Sequence, residues 1–159
     1  MYHFFVRRRV RAIFAHLNAG DFDYVTRQFA ADATHWFSGR HALGGQRRTG
    51  ASRAAWYRRL ATVMPGLAFT IEKIVVSGPP WRTHVAVEWR DRVFDPQGLE
   101  LEPNQGVFVL ALRWGRAVDF RVYCDTQGLA KNLDAIAARG VAEAADAPLA
   151  DPQVAAGAV

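Results

Sequence analysis

The chain has 159 residues, half of them apolar, which is one domain's length with enough apolar mass for a core of ordinary size. Its formal charge of +5 invites a nucleic-acid reading, but the arginines are scattered over helices and a loop without a recognition-helix, RNP or zinc-finger pattern, so no nucleic-acid partner is expected. A lone Cys124 excludes an internal disulfide framework, no apolar run approaches the roughly 18 residues of a membrane span, and MYHFFVRRR reverses the order of a secretory signal; a cytoplasmic protein with no membrane partner is expected.

Val6, Val10, Ile13, Phe14 and Leu17 recur at helical spacing between arginines, which predicts an amphipathic first helix ended by Asn18-Ala19-Gly20. Asp21 is the expected N-cap of a short second helix striped by Phe22, Val25 and Phe29. Residues 33–37 read as a short strand and 38–50 as a Gly-rich loop. Ser52 or Gly50 opens a third helix with Trp56, Leu60 and Val63 on one face, stopped by Pro65-Gly66. The period then changes. Residues 67–77, 83–94, 105–114 and 117–124 are rich in β-branched and aromatic side chains, separated by Gly78-Pro79-Pro80, Asp95-Pro96-Gln97-Gly98 and Trp114-Gly115-Arg116. Short turns between successive strands imply an antiparallel meander, not βαβ units. Asp125 or Thr126 begins a last helix carrying Leu129, Leu133 and Ile136, with Gly140 as its stop. The domain is thus expected to span 1–140, and the Ala-rich stretch 141–159 reads as a disordered or loosely docked tail.

The string Leu17-Asn18-Ala19-Gly20-Asp21-Phe22 and the later Phe29-Ala30-Ala31-Asp32-Ala33-Thr34 resemble the opening shared by ketosteroid isomerases, SnoaL-type polyketide cyclases and limonene epoxide hydrolases. Gly106 to Leu110, Gly115 and Phe120 to Asp125 are similar to the closing hairpin of the epoxide hydrolases. From about residue 6 to 140 the chain resembles the nuclear-transport-factor-2-like, or SnoaL-like, superfamily. The resemblance implies an α+β fold in which three to four helices pack a curved antiparallel sheet around a cone-shaped apolar pocket, no cofactor, and a homodimer. Because this architecture hosts unrelated activities, catalytic residues have to be carried over position by position. The isomerase Tyr, acid and Asp fall on Ile13, the Val109 and Leu110 region, and Phe37, none of which can do that chemistry. The epoxide-hydrolase motif falls on Glu88-Trp89-Arg90-Asp91, keeping one aspartate, Asp91, and placing Trp89 where the arginine belongs. Val122 takes the place of the second aspartate, and His35 and Phe37 the water-holding places.

With that register, strand alternation turns Val87, Trp89 and Asp91, together with Phe120, Val122 and Cys124, toward the pocket, and Glu88, Arg90 and Arg92 away from it. A slip of one residue would reverse the two sets. The candidate catalytic groups are His35 and Asp91, a carboxylate orienting an imidazole as general base in a dry cavity. The competing reading makes His35 a hydrogen-bonded core residue and Asp91 the partner of a neighbouring arginine. Phe37, Trp56, Trp89, Phe120, Val122 and Tyr123 are the candidate contacts for a small hydrophobic, polyketide-, terpene- or steroid-like molecule, with Trp81 a candidate for the pocket mouth. Asp125, at the strand end after Tyr123, reads as a helix cap in preference to a catalytic carboxylate, and Cys124 as an inert thiol. No HxH or HxxxH spacing suggests a metal, and Gly44-Gly45 lacks the rest of a phosphate loop. Two functions remain open: a cofactor-independent isomerase, cyclase or epoxide-hydrolase-like enzyme, and a non-catalytic binding or interaction module.

Overall fold

The computed structural model describes residues 1–149 and 151. Its elements, in order, are α1 (Tyr2–Asn18), α2 (Phe22–Thr26), β1 (Phe29–Phe37), β2 (Gly45–Arg47), α3 (Gly50–Val63), β3 (Ala68–Ser77), β4 (Thr83–Arg92), β5 (Gln105–Arg113), β6 (Arg116–Cys124), α4 (Thr126–Ala138) and a 3₁₀ turn (Ala142–Ala145). The six strands form one open sheet in the order β2-β1-β6-β5-β4-β3. β3 to β6 are the expected antiparallel meander, whereas β1 runs parallel to β6 and only β2 pairs antiparallel with it. Along β4, Val85, Val87 and Trp89 are buried and His84, Glu88 and Arg90 exposed, so one face carries the core and the other meets solvent. Val6, Val10 and Phe14 of α1 and Leu129, Leu133 and Ile136 of α4 are buried in that core, each contributing about 1.5–3 kcal/mol by leaving water.

Several local expectations are corrected. β1 begins at Phe29, four residues before the expected 33, because the ladder with β6 shifts register between Phe29 and Thr34 and so breaks the alternation. The buried guanidinium of Arg53 fills that irregularity, donating to the carbonyls of Ala33 at 2.6 Å, Ala30 at 3.2 Å and Ala31 at 3.4 Å. The loop 38–50 contains β2, with His35 opposite Arg47. α3 is capped by Thr49, not Ser52 or Gly50: Thr49 Oγ1 accepts from Ser52 N at 3.0 Å, and Ser52 Oγ accepts from Thr49 N at 3.3 Å. Of the stretch past 140 that reads as disordered or loosely docked, the described residues touch the domain. Asp146 pairs with Arg59 at 3.1 Å, Leu149 O accepts from Arg47 at 2.8 Å, and Arg48 N donates to the Asp151 carboxylate. The expectation for residues 150 and 152–159 lies outside the described residues.

Candidate functional site

α3, α4, the end of α1 and the inner face of the sheet surround a cavity of about 50 Å³ with an almost wholly apolar lining. The candidate contacts Phe37, Trp56, Trp89, Phe120 and Val122 all line it, as do Asp91 and Cys124. Tyr123 does not: it follows Val122 by one residue, so alternation turns it to the outer face, where it is 43% exposed and packs on Trp36 at 5.1 Å. Trp81 lies outside the lining too, exposed and 6.1 Å from Trp114. Gly106 lets the Trp89 ring cross β5, since a Cβ there would stand 2.7 Å from the ring and 2.1 Å from Tyr123 O. Tyr57, Phe108, Phe120 and Leu17 also border a second apolar cavity of about 190 Å³ beneath α1. Leu17, Leu60, Met64, Leu67 and Phe69 border both the first cavity and a surface cleft of about 320 Å³ between the ends of α1 and α3.

Asp91 is the carboxyl of the first cavity. The ladder beyond β4 and β5 fixes it: Asp91 N donates to Asn104 O at 2.9 Å and Asp91 Oδ1 accepts from Asn104 N at 2.5 Å. Asn104 is itself held, its Nδ2 donating to Asp125 O at 2.8 Å and its Oδ1 accepting from Gln105 N at 2.7 Å and Asp125 N at 3.1 Å. Among the described residues no cationic nitrogen lies within ion-pair reach of Asp91. The arginines that alternation turns outward pair elsewhere, Arg90 with Glu72 at 3.5 Å and Arg92 with Glu100 at 2.7 Å, which overturns the arginine-partner reading of Asp91. Burial therefore pushes the carboxyl up to about 6, against the smaller lowering by the Asn104 N–H. Two further groups of the lining matter. The Trp89 indole N–H is buried without a partner, and burial pushes the Cys124 thiol, 3.9 Å from Ser38 Oγ, up to about 11, which keeps it protonated.

His35 belongs to a different arrangement. It is wholly buried, and its Nδ1 lies 3.3 Å from Arg47 Nε. An arginine nitrogen only donates, so Nδ1 accepts and the proton sits on Nε2, which has no hydrogen-bond partner. Its ring is enclosed by Trp56 at 4.6 Å, Phe120 at 5.2 Å and Tyr57 at 6.0 Å. Burial first, then the charges of Arg47 and Arg53, hold its pKa well below the ordinary value, so it is neutral at physiological pH. The structure thus does not join His35 to Asp91: neither imidazole nitrogen bonds the carboxylate, and His35 is absent from the cavity lining.

Sequence reasoning missed Arg47, Arg53 and Asn104. Arg47 is fully buried, without an ion pair among the described residues, its guanidinium donating at 2.8 Å to each of the carbonyls of Gly44, Gly45 and Leu149 and lying 5.3 Å from the centre of the Trp56 ring. Burial lowers its pKa to about 10, so it stays charged. Apart from His35 its partners are backbone oxygens, which leave no signature in side-chain spacing. Asp125 is the expected cap, Oδ1 accepting from Gln127 N and Gly128 N at 3.0 Å each. Among the described residues no three His, Cys, Asp or Glu side chains converge as a metal-binding group, and no helix is long and apolar enough to cross a membrane.

The open curved sheet with a hollow under its helices is matched by comparison with known proteins. The sequence model of the SnoaL-like domain fits residues 10–120, from mid-α1 into β6. The chain belongs to the SnoaL-like family. Solved structures with this SnoaL-like fold include an NTF2-like protein of unknown function from Burkholderia pseudomallei, 21% identical, covering 79% of this chain and 95% of its own, with a TM-score of 0.69. A proposed SnoaL-like polyketide cyclase from Jannaschia sp. is 17% identical over 78% of this chain and 88% of its own, with a TM-score of 0.63. TerC, co-crystallised with polyporic acid, is 17% identical over 81% and 98%, with a TM-score of 0.69. At these identities the likeness establishes the fold of the SnoaL-like domain. No curated protein matches the sequence.

Proposed function

We propose that this SnoaL-like protein binds a small hydrophobic, ring-containing molecule of the polyketide, terpene or steroid kind in the inner cavity, in the cytoplasm and without a cofactor, and that Asp91 moves a proton on it. The observation that carries the reading is a carboxyl without a cationic partner in an otherwise apolar, aromatic-lined cavity, held by a backbone N–H from Asn104. A group whose pKa stands at about 6 is largely ionised at neutral pH yet keeps a proton affinity suited to general base and acid work. In this reading Asp91 takes a proton from a carbon beside a ligand carbonyl and returns it at a second position, as an isomerase or cyclase requires. The unpartnered Trp89 N–H donates to the oxygen where negative charge develops. His35 takes no part in the proton transfer and supports the Trp56 and Phe120 walls.

The neighbours give the ligand class some support: one is proposed to be a polyketide cyclase and another was crystallised with polyporic acid. A benzene-sized ring needs about 150 Å³. The cavity of about 50 Å³ is too small for such a ring by itself; in this reading a shift of the shared Tyr57, Phe108 and Phe120 side chains merges it with the adjoining 190 Å³. In the same reading two copies pair through the exposed sheet face bearing Val109 and Tyr123.

The test is a panel of polycyclic aromatic and steroid-like ketones, screened for binding by quenching of tryptophan fluorescence and for turnover by chromatography, with wild type and Asp91→Asn in parallel. Binding by both with turnover only by wild type supports the reading. Turnover by Asp91→Asn rejects Asp91 as the proton carrier. Binding by both with turnover by neither selects the non-catalytic binding module instead.

A further inference from the structure

The opposite end of the molecule from Asp91 has a composition that the cavity beside Asp91 does not explain, although Phe5 and Arg9 also border the second cavity beneath α1. Four large aromatic side chains stand in solvent there: Phe4 (64% exposed) and Phe5 (56%) at the start of α1, Trp81 (59%) in the β3–β4 turn and Trp114 (70%) in the β5–β6 turn. These elements are tied together. Tyr2 Oη lies 2.6 Å from Thr83 Oγ1, His3 Nε2 lies 2.8 Å from Gly78 O, and Trp114 N donates to Pro80 O at 2.9 Å. The two indoles lie 6.1 Å apart, and a Cβ on Gly115 would meet the Arg9 guanidinium.

Trp114 sits at φ 51 and Gly115 at φ 79, the two left-handed positions of a tight hairpin turn, where Asn-Gly is the favoured pair. A bulky residue is uncommon in that conformation, and at 70% exposure its ring buries little surface, chiefly against Trp81. Such an outlier points to a use at the surface.

The same end is basic. α1, the segment 78–83 and the β5–β6 turn with the residue on either side of it contain no acidic residue, while they supply Arg7, Arg8, Arg9, Arg11, Arg82, Arg113 and Arg116. Arg8 and Arg11 are exposed on the outer side of α1, the side that carries Phe4. The acid in contact is Asp32, which pairs with Arg113 at 3.2 Å.

We infer that this end docks on the surface of a bilayer containing anionic phospholipid. Trp114, Trp81, Phe4 and Phe5 enter the headgroup region, and the arginines face the lipid phosphates. Exposed indole and phenyl rings interleaved with arginine match an interface that is apolar inward and anionic outward, and arginine stems run along such a boundary while their heads stay wet. This departs from the sequence expectation of no membrane partner, which rested on the lack of a spanning segment; no spanning helix is involved, and the docking is independent of proton transfer at Asp91. Each arginine near the lipid surface is expected to strengthen binding about fivefold at moderate salt.

The experiment is flotation of the full chain with vesicles of phosphatidylglycerol and phosphatidylcholine and with vesicles of phosphatidylcholine alone. The variants are Trp114→Asn, which suits the left-handed turn and so keeps the fold, Phe4→Ser with Phe5→Ser, and Arg8→Gln with Arg11→Gln. Each is checked for an unchanged or raised Tm. The wild type is expected to float with the anionic vesicles only and to be released by high salt. Trp114→Asn should cut the bound fraction several-fold, and the double arginine variant should weaken binding by about twenty-five-fold. The inference is overturned by failure to float with anionic vesicles, by equal flotation with neutral ones, or by full binding in all three variants. It is also overturned if the wild type forms a dimer in solution that Trp114→Asn dissolves, because a second copy of the chain then occupies this face.

Discussion

Replacing Asp91 by Asn should make the protein more stable at alkaline pH and leave it unchanged in acid. The carboxyl rises from an ordinary 3.8 to about 6 in the folded chain because burial strips it of water and no cation compensates. Below about pH 4 it is protonated folded and unfolded alike, so the substitution has little electrostatic effect. Between about 4 and 6 the unfolded chain ionises while the folded one keeps its proton. The folded state then binds more protons, and stability falls as pH rises. Above about 6 both are ionised and the full penalty, about 3 kcal/mol from the two values, is present. Asn keeps an oxygen for the Asn104 N–H and carries no charge, so it removes that penalty. For a chain of this length the gain amounts to about 6–12 °C in Tm at pH 8. Thermal unfolding followed by circular dichroism at a series of pH values, wild type against variant, reads the difference directly. A Tm gap that is the same at pH 4 and pH 8, or a variant less stable at pH 8, would refute the account of an uncompensated buried carboxyl.

His35 should titrate well below an ordinary imidazole, and nitrogen NMR should show the proton of its neutral form on Nε2, because Arg47 occupies Nδ1; a midpoint at the ordinary 6.5 would contradict this. Arg47→Met should cost about 3–5 kcal/mol in urea unfolding, since Gly44 O, Gly45 O and Leu149 O lose their buried donors together; a loss below about 1 kcal/mol would mean that water replaces the guanidinium. Gly106→Ala should destabilise by at least about 2 kcal/mol and change the Trp89 environment in near-ultraviolet circular dichroism, because its Cβ would meet Tyr123 O at 2.1 Å; an unchanged spectrum would show that the strands part without disturbing the indole.

Much of this architecture was legible because periodicity reports burial. The α1 stripe of Val6, Val10 and Phe14, the four strands of the meander and the Asp125 cap follow from spacing and turn chemistry. So does the inward set of Trp89, Asp91, Phe120 and Val122, since alternation fixes a face once one residue is placed. Tyr123 was misassigned against that same rule, as a residue next to Val122 cannot share its face. The His35 and Asp91 pair failed for another reason. Sequence places both on the inner side but carries no information on their distance across the sheet. The buried cation that claims His35 lies in a Gly-rich stretch that gave no strand signal. The first half of β1 was hidden by its irregular register, which Arg53 repairs through backbone carbonyls that no motif records.

The central claim, that the aromatic cavity beside Asp91 receives an apolar ring, is tested most directly by the indole N–H signals of the five tryptophans during titration with naphthol. Trp56 and Trp89 line the cavity, whereas Trp81 and Trp114 stand in solvent and Trp36 packs on the outer face against Tyr123. The account predicts that the Trp56 and Trp89 signals shift together with saturation, that Trp36, Trp81 and Trp114 stay in place, and that the Asp91 carboxyl midpoint moves further above about 6 as the cavity dries. Shifts confined to the three outer indoles, or a carboxyl midpoint near 3.8 throughout, would contradict it.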